Sequence, residues 1–125
     1  MLGIDVVKIS RIRAMQERFG NRALKKFLHV DEIALAKSTE TIAGFYAAKE
    51  AVAKALGLGI CAEFGFMDIK IYKTKKGVPQ FTLVKNIIER FSITELDLSI
   101  THDGDYAIAV ASLRSTATSS KPLFH

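Results

Sequence analysis

Positions 42–56, Ile-Ala-Gly-Phe-Tyr-Ala-Ala-Lys-Glu-Ala-Val-Ala-Lys-Ala-Leu, are apolar around nearly a full helical circumference, interrupted by three charges. A helix with no polar side belongs inside a protein. Ser38, Thr39 and Thr41 supply cap residues at its start, and Gly57 stands where helices commonly end in a left-handed residue. Before it, positions 1–7 read as a short β-branched strand with one acid, Asp5. Ile9, Ile12, Met15 and Phe19 then recur at helical spacing and predict a helix with these four on its core stripe. A short helical turn at 22–28 and another opened by His29-Val-Asp-Glu32 follow.

Beyond the central helix the period changes to two. Positions 67–72 alternate, Lys75-Lys-Gly77 turns the chain, and 78–82 return, which predicts a hairpin with Pro79 marking an edge. Positions 84–91 are again helical; 96–101 alternate, His102-Asp-Gly-Asp105 turns, and 106–113 form a last strand. Alanines at alternate places in that strand admit a closely packed helix, for which the alanine-rich central segment is the natural partner. The expected fold is α+β, a small, mostly antiparallel sheet packed on a long buried central helix. Residues 1–113 form its single domain, and a Ser/Thr-rich tail covers 114–125.

Composition agrees with one domain: 125 residues, 49% apolar, can bury a respectable core. The one cysteine, Cys61, excludes an internal disulfide framework and suits a reducing compartment. No basic leader with a long apolar run and no membrane-length stretch is present, so the expected location is the cytoplasm, away from membranes. Charge is more informative in its placement. Between Lys8 and Lys26 stand seven basic residues and one acid, a local +6 in a chain whose total is +5. Arg11 and Arg18 share one side of the predicted helix, and Arg22 joins them if the helix continues through Gly20. Such a face suits an acidic partner. Nucleic acid is not expected, because Phe19 and Phe27 read as core positions rather than as stacking aromatics among the basic residues.

The charges in the apolar helix require an explanation, since an unpaired buried charge is costly. Glu50 and Lys54 lie four apart and project from one side, so an internal ion pair is one reading. Asp5, an acid in an apolar strand, offers another: two carboxylates from distant parts of the chain sharing a hard cation. One or two carboxylates, with the remaining positions left to water and phosphate, is the usual way Mg²⁺ is held beside a phosphorylated substrate.

Three blocks, Gly3-Ile-Asp5, Tyr46-Ala-Ala-Lys49-Glu50-Ala-Val-Ala-Lys54 and Ser99-Ile-Thr-His102, with Gly57-Leu-Gly-Ile60 and Gly77-Val-Pro79 between the last two, resemble the signatures of the 4′-phosphopantetheinyl transferases. The similarity is to the short bacterial holo-acyl-carrier-protein synthase type and spans roughly 1–113. It implies transfer of 4′-phosphopantetheine from coenzyme A to a serine of an acidic apo acyl carrier protein, in fatty acid biosynthesis. It further implies Asp5 and Glu50 as Mg²⁺ ligands, with Lys54 beside them in catalysis. Lys49, Lys54, Gly57 and His102 become coenzyme A contacts, Arg11 and Arg18 the carrier dock, and the assembly a homotrimer with sites between subunits. Phe45 stands where many relatives have arginine, for which Lys49 or a neighbouring subunit is the expected substitute. Two other readings remain beside this one. A non-enzymatic basic module explains the arm but not Asp5, Glu50 and Lys54, and another Mg²⁺-dependent phosphoryl-transfer enzyme would share the metal site.

Overall fold

The structure, a computed structural model, describes residues 1–116. Strand β1 (Leu2–Lys8) leads into helix α1 (Ile9–Phe19), then come α2 (Asn21–Leu24), α3 (Val30–Leu35) and the long α4 (Thr39–Ala55). A single 3₁₀ turn (Phe66–Asp68) precedes the hairpin β2 (Ile69–Lys73) and β3 (Pro79–Leu83). Helix α5 (Lys85–Phe91) and the strands β4 (Ile93–Asp103) and β5 (Tyr106–Ser115) complete the chain. The strands form two antiparallel sheets, one in the order β1-β5-β4 and one of β2 and β3.

Alternation in the three-stranded sheet decides where the core lies. Val7, Ala107, Ala109, Ala111, Leu113 and Leu98 are buried, whereas Leu2, Ile4 and Val6 on the opposite side of β1 are exposed. Helix α4 covers the buried face, and the alanines of β5 let it lie close, as the sequence leads one to expect. Contact is closest at Gly3, where a Cβ would stand 1.9 Å from the Ala51 carbonyl oxygen. Ser38 caps α4 by accepting from the Thr41 amide at 3.2 Å. Gly57, at φ +75°, ends it. Helix α1 takes its cap from far along the chain: Asp105, in the β4–β5 turn, accepts from the Ser10 amide at 2.9 Å and the Ser10 hydroxyl at 2.6 Å.

Several expectations are corrected. Helix α1 stops at Phe19 because Gly20 adopts φ +62°, so Arg22 does not continue its face. Phe19 is exposed rather than part of the core stripe, whereas Ile9 and Ile12 are buried. The final strand continues through Arg114 and Ser115, which belong to the sheet and not to a tail; residues 117–125 of the expected tail lie outside the described residues.

Candidate active site

Asp5 lies on the helix-facing side of β1, two residues beyond Gly3, where the strand runs against α4. Its side chain is 15% exposed, and Oδ1 accepts from Lys54 Nζ at 2.7 Å. Lys54 also donates to the Ile4 carbonyl at 3.2 Å. The internal pair considered for Glu50 and Lys54 is therefore not formed; Lys54 bridges from helix to strand. The side chain of Glu50, one turn earlier and half-buried, has no hydrogen bond or ion pair to a described residue. Burial, then the Asp5 charge, raise its pKa above the ordinary glutamate value, against the opposing pull of Lys54 and Arg11. Asp5 is thus paired with Lys54, while Glu50 stands close enough to Asp5 to feel its charge.

Arg11 and Tyr46 join this group from the other side. The Arg11 guanidinium lies 6.0 Å from the centre of the Tyr46 ring. Burial foremost, and then Glu50, raise the pKa of the Tyr46 phenol, so it stays a neutral hydrogen-bond donor. Tyr46 also packs edge-on against Phe27, ring centres 5.0 Å apart, and at a tilt against Phe66, ring centres 5.5 Å apart. These rings floor an open cavity of about 650 Å³ whose walls carry Met15, Phe19 and the cations Arg18, Arg22 and Lys26. Basic residues that do not share one helix face nonetheless line one cavity, because the Gly20 turn folds α2 back beside α1.

The residues singled out in the sequence are thus partly brought together. Asp5, Glu50 and Lys54 form one cluster, with Arg11 at its edge and Arg18 one cavity away. His102 shares the helix-facing side of the sheet with Asp5 but sits on β4, opposite Ala107, which in turn pairs with Val7. At ordinary strand spacing that places it roughly 9 to 10 Å across the sheet from β1. Lys49 is a correction. Its side chain is wholly buried against Glu32, with Nζ to Oε1 at 2.7 Å, so its ammonium is not presented to a phosphate and does not replace an arginine at Phe45. Glu32, Arg11 and Tyr46 were given no part in such a cluster by the sequence. A lysine in an apolar helix does signal that an acid must meet it, but not which one.

The donor set fits Mg²⁺. Two carboxylates with an unfavourable mutual charge are hard oxygen ligands for which a cation would relieve the repulsion. Among the described residues no cluster of three or more His, Cys, Asp or Glu side chains could hold a metal. A site built from these two would leave most coordination positions to water and substrate phosphate, the pattern Mg²⁺ favours. No helix among the described residues is long and apolar enough to cross a membrane.

Comparison with known proteins identifies the family. Residues 1–111 match the family described as the 4′-phosphopantetheinyl transferase superfamily. A holo-[acyl-carrier-protein] synthase of Sulfurimonas denitrificans is 54% identical over 117 residues, covering 94% of this chain and 97% of that protein. The crystal structure of Helicobacter pylori holo-[acyl-carrier-protein] synthase in complex with coenzyme A superposes with a TM-score of 0.88 at 45% identity, covering 91% of this chain and all of that one. The Bacillus anthracis synthase in complex with CoA (3′,5′-ADP) gives 0.76 at 32% identity, covering 92% and 96%. With the family signature, sequence and fold agreeing over nearly its whole described length, the chain belongs to the 4′-phosphopantetheinyl transferase superfamily.

Proposed function

We propose that this protein is a holo-acyl-carrier-protein synthase that transfers 4′-phosphopantetheine from coenzyme A to a serine of an acidic apo acyl carrier protein. The observation that carries the reading is the Asp5, Glu50 and Lys54 cluster beside a cavity walled by Arg18, Arg22 and Lys26. A pyrophosphate needs the first, an acidic protein the second. In the transfer the serine Oγ–P bond forms and the pyrophosphate P–O bond breaks. The bridging oxygen leaves with adenosine 3′,5′-bisphosphate, and the serine gives up its proton.

Asp5 and Glu50 would hold Mg²⁺, which when bound neutralises charge on the pyrophosphate. Lys54, its side chain 53% exposed, adds a mobile point charge at the mouth of the cluster. Neutral Tyr46 supplies a donor, and Gly57 and His102 are the remaining coenzyme A contacts. Arg11 and Arg18 receive the carrier, since clustered charge speeds encounter with an acidic protein. The protein works in the cytoplasm, in fatty acid biosynthesis. Its assembly is a homotrimer; the outer face of the β1-β5-β4 sheet, where Leu2, Ile4 and Val6 are exposed beside half-buried Ile108 and Val110, supports self-association.

Mass spectrometry of an apo acyl carrier protein incubated with this protein, Mg²⁺ and coenzyme A tests the activity. The expected result is a mass gain of one phosphopantetheine, abolished by EDTA. No gain overturns the function, and a gain untouched by EDTA overturns the metal.

A further inference from the structure

Lys49 and Glu32 are both wholly buried, and their polar atoms are matched to each other and to three backbone groups. Lys49 Nζ donates to Glu32 Oε1 at 2.7 Å and to the Phe66 carbonyl at 3.0 Å. Glu32 also accepts from the His29 amide at 2.6 Å and, through Oε2, from the Ile71 amide at 2.7 Å. One pair thereby ties α4 to the start of α3, to β2 and to the 3₁₀ turn that carries Phe66. A buried ion pair adds little stability over an apolar pair of equal size, and its best-attested use is to specify one arrangement among several.

Helix α4 has reason to need such a device. Six of its eleven buried residues are alanine, beside the larger Ile42, Phe45, Lys49 and Val52, and β5 meets it with Ala107, Ala109 and Ala111. Methyl groups against methyl groups fill space but oppose rotation about the helix axis weakly, because larger side chains are what interlock. Directed hydrogen bonds do oppose it, from Lys54 to Asp5 and Ile4 on the exposed side and from Lys49 to Glu32 and Phe66 inside. Glu50 is the next residue, about 100° further around the axis, so anchoring Lys49 on the α3 and β2 side sets the direction of Glu50 toward Asp5. At about 5 Å from the axis a rotation of about 10° displaces a group by about 0.9 Å. Misplacement by about 1 Å in an active site costs on the order of 100-fold in rate.

We propose that the buried Glu32–Lys49 pair is a positioning device for the active site, locking the rotation of α4 so that Glu50 is held where it and Asp5 can share one divalent cation. The proposal rests on the reading of Asp5 and Glu50 as cation ligands. Neither Glu32 nor Lys49 touches substrate; both act through Glu50.

The test uses the double variant Glu32→Gln/Lys49→Met, which removes both charges while nearly preserving side-chain length, with folding verified by circular dichroism well below the melting temperature. Mn²⁺ binding, followed by electron paramagnetic resonance, is expected to weaken about 10- to 100-fold, as for loss of groups that orient metal ligands. The kcat for transfer with Mg²⁺ should fall by a similar factor, while KM for the carrier stays within about twofold because the basic cavity wall is untouched. A folded double variant with wild-type Mn²⁺ affinity and kcat overturns the proposal and leaves the metal reading standing. Wild-type protein that binds no Mn²⁺ overturns both. Should the double variant not fold, Glu32→Asp keeps both charges and draws the anchor back by one methylene: weakened Mn²⁺ binding is expected, and wild-type binding overturns the proposal.

Discussion

Glu50 concentrates the chemistry of this protein in one side chain. Its folded-state pKa lies above the ordinary value of 4.5, from burial first and Asp5 second. Folding therefore favours its protonated form. That contribution is complete below the unfolded pKa and is lost as pH rises through the folded one, so at neutral pH the ionised carboxylate works against stability. Glu50→Gln is accordingly expected to raise the melting temperature without metal while reducing Mg²⁺-dependent transfer more than about 100-fold, beyond the usual effect of groups that merely orient ligands. Thermal melts with and without Mg²⁺ plus coenzyme A, together with the transfer assay, check both. A destabilised mutant that keeps the ligand-induced shift would remove Glu50 from the metal site. Affinity for Mg²⁺ in the wild type should also fall as pH drops through the raised pKa, at higher pH than an ordinary glutamate requires. Gly3 is the second decisive residue. A methyl group there meets the Ala51 carbonyl at 1.9 Å, and backbone cannot yield as a side chain can. Gly3→Ala should cost at least about 2 to 3 kcal/mol in denaturant unfolding, at the upper end of overpacking; a cost below about 1 kcal/mol would show that β1 can move off α4.

At the scale of elements, α1 has two tasks. Its buried stripe seats it on the core through Ile9 and Ile12, while its basic side and the folded-back α2 wall the cavity. Arg18 Cζ lies 5.1 Å from the Phe19 ring centre, which explains how an exposed aromatic serves this surface: it supports the cation laterally. Arg18→Glu should raise KM for the carrier about 10-fold or more, leaving coenzyme A binding nearly unchanged, because reversal of a rim charge acts on encounter with a charged partner. Raising salt on the wild type should act in the same direction, since exposed charges are screened over about 8 to 10 Å at physiological ionic strength. Carrier KM indifferent to both changes would move the dock away from α1.

The whole molecule presents one sheet with two unlike faces. The inner face is sealed by α4; the outer carries Leu2, Ile4 and Val6 into solvent, with Leu2 71% exposed. Antiparallel sheets commonly solvate one face, but they do so with polar residues. Light scattering on the pure protein is expected to give three times the chain mass, and Ile4→Glu, placing a charge in the middle of this apolar face, should shift it toward monomer. A stable, fully active wild-type monomer would exclude both the trimer and a site shared between subunits.

Local periodicity determined much of this protein by itself. The apolar circumference of 42–56, its Ser38 cap and its Gly57 stop are properties of a few neighbouring residues, and so is the alternation that made the β2–β3 hairpin and the alanine face of β5 legible. Asp5, Glu50 and Lys54 could be singled out because a charge in an apolar segment stands out without knowledge of its surroundings. Their partners could not, because pairing depends on which distant segments meet. Only the tertiary structure gave Lys54 to Asp5 and Lys49 to Glu32, turning an expected phosphate contact into a core anchor. Phe19 likewise repeats at core spacing and yet is exposed, because spacing specifies a helix face but not where the neighbouring chain runs out to cover it. The cavity wall of Arg18, Arg22 and Lys26 exists because Gly20 reverses the chain, a backbone event that charge spacing does not register.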